Sequence, residues 1–472
     1  MPAGPLAKQG VPNHRDRPPI GCWLAHDAMP ARLELMSDSP LQRLPSGFRE
    51  RTLKGAKLAG KLGASYLRRA VTKQTRERST EEATSTAREL VEELGALKGL
   101  VMKLGQIASY MPGAFPPDAQ RVLAQLQSNT QPMEYDVVAR AVRAELGDVP
   151  EQVFDTFERT PFAAASIGQV HRATHGGRDL AVKVQYPGIQ DIIESDLKKA
   201  DVLARLATLG TAFDGKGLAR ELSERILEEC DYVAEARNQR AFEALFADIA
   251  GARVPEVVES RSGTRVLTTA FVSGTSFQRF CDEAPQAVKD RAAEVIFRTC
   301  FQSIFVHCIY NADPHPGNYL LHDEGDVTFL DFGCIREFDL EMIEDWKATA
   351  IAITDGDMRG FKDGFVKMGL VPNPDKFDWD HQYRVMQYIY RPYTEPGFRY
   401  TPEYVTQSYD LLIFNNPNRN RSGMPPQWLF LNRLQWGLNA ILAQLNAAGP
   451  FVEIWHEVTR AALQPVRVPK PT

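Results

Sequence analysis

An α+β fold in two lobes, a small β-rich lobe followed by a larger helical one, is predicted by three features of this 472-residue chain. Short strand-like segments separated by turn residues cluster between Val153 and Phe271. Beyond Gly274 the apolar residues recur mostly at helical spacing. Hydrophobic residues at 43% and charged residues at 24% are globular averages, which excludes wholesale disorder, collagen-like repeats and coiled coil. The length suits about two to three domains. A net charge of -5 gives no overall basic footprint, so nucleic acid is not an expected partner. Six scattered cysteines without a CxxC pair favour reduced thiols over a disulfide frame or a zinc site.

Taken in order, residues 1–40 are rich in Pro, with Gly, His and mixed charge, and read as a disordered tail in which Met29 and Met36 stand as alternative starts. Residues 41–150 read as a helical extension. Between Arg43 and Arg78 eleven Lys/Arg face only Glu50 and Glu77, a net +9. Within that stretch Leu53, Ala56, Leu58, Ala59, Leu62 and Tyr66 recur at helical intervals. A basic amphipathic helix of this kind suits an anionic membrane surface, or equally a solvated cover on the protein body. Further helices are expected over 80–106, 117–127 and 135–150, with Pro112, Pro116 and Pro117 as breaks.

Residues 151–274 form the predicted small lobe. Strands are expected over 153–160, 167–174 and 180–186, and Gly176-Gly177 marks a hairpin. Two long helices follow, over 189–209 and 217–246, then strands over 253–259 and 264–271. Residues 275–472 form the helical lobe, with one strand pair around 319–321 and 327–330. The charge-free run from Leu434 to Val452 contains Gln435, Asn439, Gln444 and Asn446, which is too polar for a membrane span. It reads as a buried amphipathic helix ending at Gly449-Pro450. With no signal peptide and no span, the expected location is cytoplasmic or peripheral to a membrane.

Three motifs carry chemistry. Lys183 lies inside the apolar strand Leu180-Ala181-Val182-Lys183-Val184, a place lysines avoid unless paired. Asp313 and Asn318, five residues apart, flank the turn Pro314-His315-Pro316-Gly317, and Asp331 follows in Asp331-Phe332-Gly333 at a strand end. Carboxylate and amide oxygens so arranged suit magnesium, which takes hard oxygen ligands and keeps waters or phosphates. A bilobal plan offers a cleft for a nucleotide. His315 reads as a structural hydrogen-bonding residue and Cys334 as packing.

Together these motifs resemble the protein-kinase signature of strand Lys, loop Asp with Asn five later, and DFG. The departures are specific. No G-x-G-x-x-G precedes Lys183; in its place stands Ala163-Ala164-Ala165-Ser166-Ile167-Gly168-Gln169-Val170, with only Gly168 retained. No His-Arg precedes Asp313 and no A-P-E follows Gly333, so the platform that holds a polypeptide acceptor has no visible counterpart. Lys103-Leu104-Gly105-Gln106, the Ala-rich loop, Glu229-Cys230-Asp231-Tyr232 and Glu235-Ala236-Arg237-Asn238 are similar to the UbiB (AarF) atypical kinase-like family, from about Leu97 to Phe338.

That resemblance implies a protein-kinase-like fold with an N-terminal helical extension, binding of ATP and magnesium (Mg2+), and a link to isoprenoid-quinone (coenzyme Q) production. It also implies roles. Lys183 contacts the α/β-phosphates and pairs with Glu235, Asp313 takes the catalytic-base position, and Asn318 and Asp331 hold magnesium. Ala163, Ala164, Ala165, Ser166 and Gly168 form the loop over the nucleotide. Glu229 and Asp231 form an extra acidic pair, and Lys103 and Gln106 fold over the cleft. The acceptor is a small or lipid-like molecule such as a quinone precursor, or water. The alternative reading is a nucleotide-switched, non-catalytic scaffold or chaperone-like module for a lipid-biosynthetic complex.

Overall fold

The computed structural model describes residues 132–165, 167–191, 193, 227–311, 314–419, 421–423 and 425–468. The expected tail, the basic segment around 43–78, Lys103, Gln106, Ser166 and Asp313 lie outside the described residues.

The small lobe begins with helix α1 (Tyr135–Leu146) and a short turn of helix, α2 (Pro150–Val153). Strands β1 (Thr156–Phe157), β2 (Ala163–Ala164), β3 (Gly168–His175) and β4 (Arg178–Gln185) follow. Helix α3 (Tyr232–Phe246) comes next, then β5 (Ala252–Arg253) and β6 (Val266–Ala270). The sheet order is β1-β3-β4-β6, with β2 also paired to β3, and every pairing is antiparallel. Gly176 and Gly177, at φ 58° and 75°, make the tight β3–β4 turn. Two consecutive positive φ angles match the right-handed strand twist, which is why the glycine pair sits there.

Register decides which side chains meet the cleft. Leu180, Val182 and Val184 share one face of β4 and pair across from Ala173, His171 and Gln169 of β3. That face packs with Val138 and Val142 of α1 in the lobe's core. Because strand side chains alternate, Lys183 must lie on the opposite face. The α1 stretch, drawn from the sequence as the end of the extension, is thus part of the small lobe's core. Its buried residues, Val138 and Val142, pack there.

The larger lobe is mainly helical, with helices α4 (Phe277–Glu283), α5 (Gln286–Phe305), α6 (Leu340–Thr354) and α7 (Met358–Lys367) in its first part. Helices α8 (Trp379–Ile389), α9 (Arg391–Thr394), α10 (Pro402–Tyr409), α11 (Pro426–Gln444) and α12 (Phe451–Arg460) complete it. Its core centres on α5, where Phe301 and Phe305 meet Trp455 edge-on, while Tyr393 stacks on Trp455 at 4.1 Å. Strands β7 (Thr275–Ser276), β9 (Tyr319–Leu321) and β10 (Val327–Phe329) join β5 in one sheet, and β8 (Ile309–Asn311) pairs with β11 (Ile335–Glu337).

Several elements differ from expectation. The helix predicted over 217–246 is interrupted before Tyr232, where Asp231 caps a new helix. The strand predicted over 153–160 shrinks to β1, and that over 253–259 to β5 with an isolated bridge from Val257 to Thr269. The helix predicted to end at Gly449-Pro450 stops at Gln444, and Asn446 at φ 49° turns the chain towards α12.

Candidate functional site

Lys183 lies on the face of β4 opposite Leu180, Val182 and Val184, as alternation requires, and there it meets Glu235. The Lys183 ammonium donates to both carboxylate oxygens of Glu235, at 2.8 and 2.9 Å. It also lies over the Tyr232 ring, 4.8 Å from the centroid, a cation–π distance. Glu235 is one turn into α3 and its side chain is 3% exposed, so its charge has almost no water to lean on. Burial raises its pKa to about 7, Lys183 opposes that, and the neighbouring carboxylates Asp331 and Glu229 add to it. Burial acts to lower the Lys183 ammonium, but Glu235, with Tyr232 and Asp331, more than reverses this and holds it firmly charged.

Helix α3 also positions the Asp331-Phe332-Gly333 segment. Tyr232, Glu235, Gln239, Phe242 and Phe246 form its buried stripe. Asn238, one turn beyond Glu235, donates to the Phe332 carbonyl at 2.9 Å, and Phe242 packs on Phe332 at 5.2 Å between ring centres. Asp331 Oδ1 accepts from Gly333 N–H at 2.9 Å, and Asn311 donates to the Asp331 carbonyl. Asn311, Asn318 and Asp331 line one pocket, backed by Phe242 and Phe332. Asn318 ends a tight turn, Pro316–Asn318, whose backbone is fixed by Asn318 N–H donating to the His315 carbonyl. His315 Nδ1 accepts from Gly317 N–H at 2.8 Å, the structural role expected for it. Cys334 is buried, again as expected.

The two acidic residues of the extra pair occupy different environments. Glu229 is buried against Gly333, where a methyl group would meet its Cγ at 3.8 Å. Asp231 is exposed and accepts from Ala234 N–H at 2.9 Å as the N-cap of α3. A carboxylate at a helix N-terminus is favoured by the dipole, so Asp231 needs no facing cation to explain it. Among the loop residues, Ala163 and Ala164 are strand residues paired to Val170 and Gln169, and Ala165 N–H donates to the Gly168 carbonyl. Gly168 is a glycine for a packing reason: a Cβ there would lie 2.4 Å from the Val184 carbonyl and 3.0 Å from the Tyr232 hydroxyl.

Sequence reasoning passed over Tyr232, Asn238 and Asn311 as site residues. The first two were legible as the positions three before and three after Glu235 on one helix face. Gly437 was a further signal, an isolated glycine inside a helix. A Cβ there would lie 2.5 Å from Pro314, so α11 is pressed against the turn that follows Asp313.

The donor set suits a hard cation bound with a polyphosphate. Asp331 and Asn318 supply oxygen, and among the described residues no three His, Cys, Asp or Glu are grouped to hold a metal alone. Magnesium on so few protein ligands takes the rest from phosphate and water.

Residues 125–364, about half the chain, match the family model described as ABC1 atypical kinase-like domain. A probable serine/threonine-protein kinase, abkA of Dictyostelium discoideum, is 30% identical over 356 residues, covering 70% of this chain and 63% of its own. The mitochondrial atypical kinase coq-8 of Caenorhabditis elegans is 33% identical over 287 residues, 58% of this chain and 37% of its own. The chain therefore spans less than two thirds of the length of both. The solved structure of Rv3197 from Mycobacterium tuberculosis, in complex with erythromycin, superposes with a TM-score of 0.61 at 27% identity, covering 81% of this chain and 97% of that one. The fold is bilobal and protein-kinase-like, of the α+β class, and no described helix is long and apolar enough to cross a membrane. With strand lysine, helix glutamate and Asp-Phe-Gly in this order and arrangement, the chain belongs to the ABC1 atypical kinase-like family, the UbiB/AarF proteins.

Proposed function

We propose that this protein binds ATP with magnesium and transfers or hydrolyses its terminal phosphoryl group in support of isoprenoid-quinone biosynthesis. The observation that carries the reading is the bidentate Lys183–Glu235 pair beside Asp331. Phosphoryl transfer asks mainly for positioning and for charge to meet the phosphates. Lys183 supplies a fixed positive charge whose direction Glu235 sets. Asp331 and Asn318 supply oxygens for magnesium, which when bound neutralises phosphate charge. Asp313, outside the described residues, takes the place of the base that accepts the acceptor's proton. Glu229 extends the acidic wall at Gly333. Lys103 and Gln106 act from the extension, and the basic segment around 43–78 holds the protein at an anionic membrane where a lipid-like acceptor is found.

The names of the relatives agree with kinase chemistry, and the mitochondrial coq-8 relative with a quinone setting. The erythromycin complex of Rv3197 agrees with a non-peptide organic ligand class. The test is magnesium-dependent thermal stabilisation by ATP, followed by phosphate release with and without phenolic lipids. Stabilisation with turnover supports the enzyme. Stabilisation without turnover transfers support to the nucleotide-switched scaffold, and no stabilisation overturns both. Co-sedimentation with vesicles containing anionic lipid, compared with a chain starting at Ser79, tests the membrane role; equal binding by both chains rejects it.

A further inference from the structure

Tyr232 is fully buried, yet among the described residues its hydroxyl has no hydrogen-bond partner. A buried, unpaired hydroxyl costs free energy that phenylalanine, filling the same space, would not. Its position explains what that cost obtains. The ring lies under the Lys183 ammonium, and the hydroxyl lies beneath the backbone of Gly168, so close that a Cβ there would come within 3.0 Å of the oxygen. Gly168, within the Ala-rich segment, opens β3, and Ala165 N–H is bonded to its carbonyl. One side chain therefore touches the phosphate lysine with its ring and the nucleotide loop with its polar atom. Lys183 already spends two N–H groups on Glu235. When a phosphate takes a share of the ammonium, the Tyr232 ring still carries the charge on its other side.

We propose that Tyr232 is a nucleotide-positioning residue, whose hydroxyl gains its hydrogen bond at the Gly168 backbone when Mg-ATP binds beside Lys183. This rests on the ATP reading above. It differs from a packing role in one respect, since only the bound state uses the hydroxyl.

The experiment compares the full chain with Tyr232→Phe and Tyr232→Leu, by thermal unfolding and by Mg-ATP and ATP titration. In Tyr232→Phe the unliganded melting temperature should hold or rise, while Mg-ATP affinity falls about tenfold, the loss of roughly one hydrogen bond's worth of binding free energy. Tyr232→Leu should lose more affinity, through the missing ring, and some stability. Equal Mg-ATP affinity for wild type and Tyr232→Phe overturns the inference while leaving ATP binding intact. A wild type that does not bind ATP overturns both. Should Tyr232→Leu fail to fold, the phenylalanine variant alone decides.

Discussion

At the scale of single residues the Lys183–Glu235 pair governs what mutation can do. Removing one partner of a buried ion pair leaves the other charge uncompensated, at about 3–5 kcal/mol in well-buried cases. The two deletions here are not equivalent. Lys183→Met leaves Glu235, whose pKa burial already raises to about 7 and which can escape by taking a proton. Glu235→Gln leaves an ammonium that burial pushes down once the Glu235 charge is gone, and that can escape by losing its proton as pH rises. The two variants should therefore differ in their pH dependence rather than share one penalty, Lys183→Met losing stability as pH rises and Glu235→Gln losing it as pH falls. A folded-state carboxyl with a raised pKa contributes stability at low pH that is lost as pH rises through the folded value. A buried ammonium without its partner behaves in the opposite sense, so Glu235→Gln should be the more destabilising well below pH 7 and Lys183→Met the more destabilising well above it. Urea unfolding at several pH values measures this, and a difference between the variants that is constant with pH, or that changes in the opposite sense, rejects the assignment. Both variants should lose the Mg-ATP-dependent rise in melting temperature. That Lys183 needed a partner was readable from its apolar strand. That Glu235 would be the partner came from the family resemblance, because β4 and α3 lie 52 positions apart in that bond and no local pattern links them.

At the scale of elements, caps and networks decide where helices start and what strands bury. Asp231→Ala should cost about 1 kcal/mol through loss of the α3 cap, whereas Asp231→Asn keeps the cap and should cost under about 0.5 kcal/mol. Should the asparagine variant still weaken Mg-ATP binding, the charge acts in the site beyond the cap; unchanged binding leaves Asp231 a cap alone. A second prediction concerns β3. Met133 N–H donates to Gln169 Oε1 at 2.7 Å, so the Gln169 amide must donate to His171 Nε2 at 2.9 Å, and His171 then donates from Nδ1 to the Glu158 carbonyl. Every position in this chain is filled by a neutral imidazole, and burial lowers the His171 pKa. Below the unfolded value of about 6.5 the unfolded chain binds a proton that the folded chain refuses, so stability falls as pH falls, by at most about 1.4 kcal/mol per pH unit for one group. His171→Gln should flatten the profile between pH 5 and 6.5; an unchanged slope would place the titration elsewhere. Neither feature was legible in the sequence as such. Asp231 sits in a continuous helical pattern, and the alternation of Gln169 and His171 in a strand does not show that Met133, just before α1, donates to Gln169 and Gln169 in turn to His171. The β3–β4 hairpin and the β9–β10 pair were legible, because glycine turns and short apolar runs are local signals.

At the scale of the whole molecule two cores, one around β3, β4 and α1 and one around α5, are joined at the site by α3, whose buried stripe runs from Tyr232 to Phe246. Hydrophobic pattern alone foretold both lobes. It missed the β8–β11 pair, whose three-residue strands are too short to show a period. That pair matters because β8 leads to Asp313 and β11 follows Gly333. The C-terminal segment splints it from behind. Gln464 N–H donates to the Val306 carbonyl at 2.7 Å and Val466 N–H to the His307 carbonyl at 2.9 Å. Arg467 donates to the Phe338 carbonyl at 3.0 Å, and Val468 N–H donates to Glu337 at 2.8 Å. Lys347 holds the start of the segment through the Ala461 carbonyl at 2.7 Å. Each such bond contributes about 1 kcal/mol, and burying Val468 contributes about 1.5–3 kcal/mol. A chain ending at Ala461 should therefore unfold at lower urea, because it loses four of these bonds and the Val468 contact, a loss offset only in part by the conformational entropy of the residues no longer ordered. Arg467→Ala, which removes one bond and one ion pair with Glu337, should lose about 1 kcal/mol. The diagnostic reading is taken well below the melting temperature, where both variants remain folded. If the splint holds β8 and β11 in register for the residues between them, the shortened chain should also show weaker Mg-ATP stabilisation and slower phosphate release than Arg467→Ala. A shortened chain that melts earlier but binds and turns over ATP as the full chain does would confine the segment to stability and remove its link to the site.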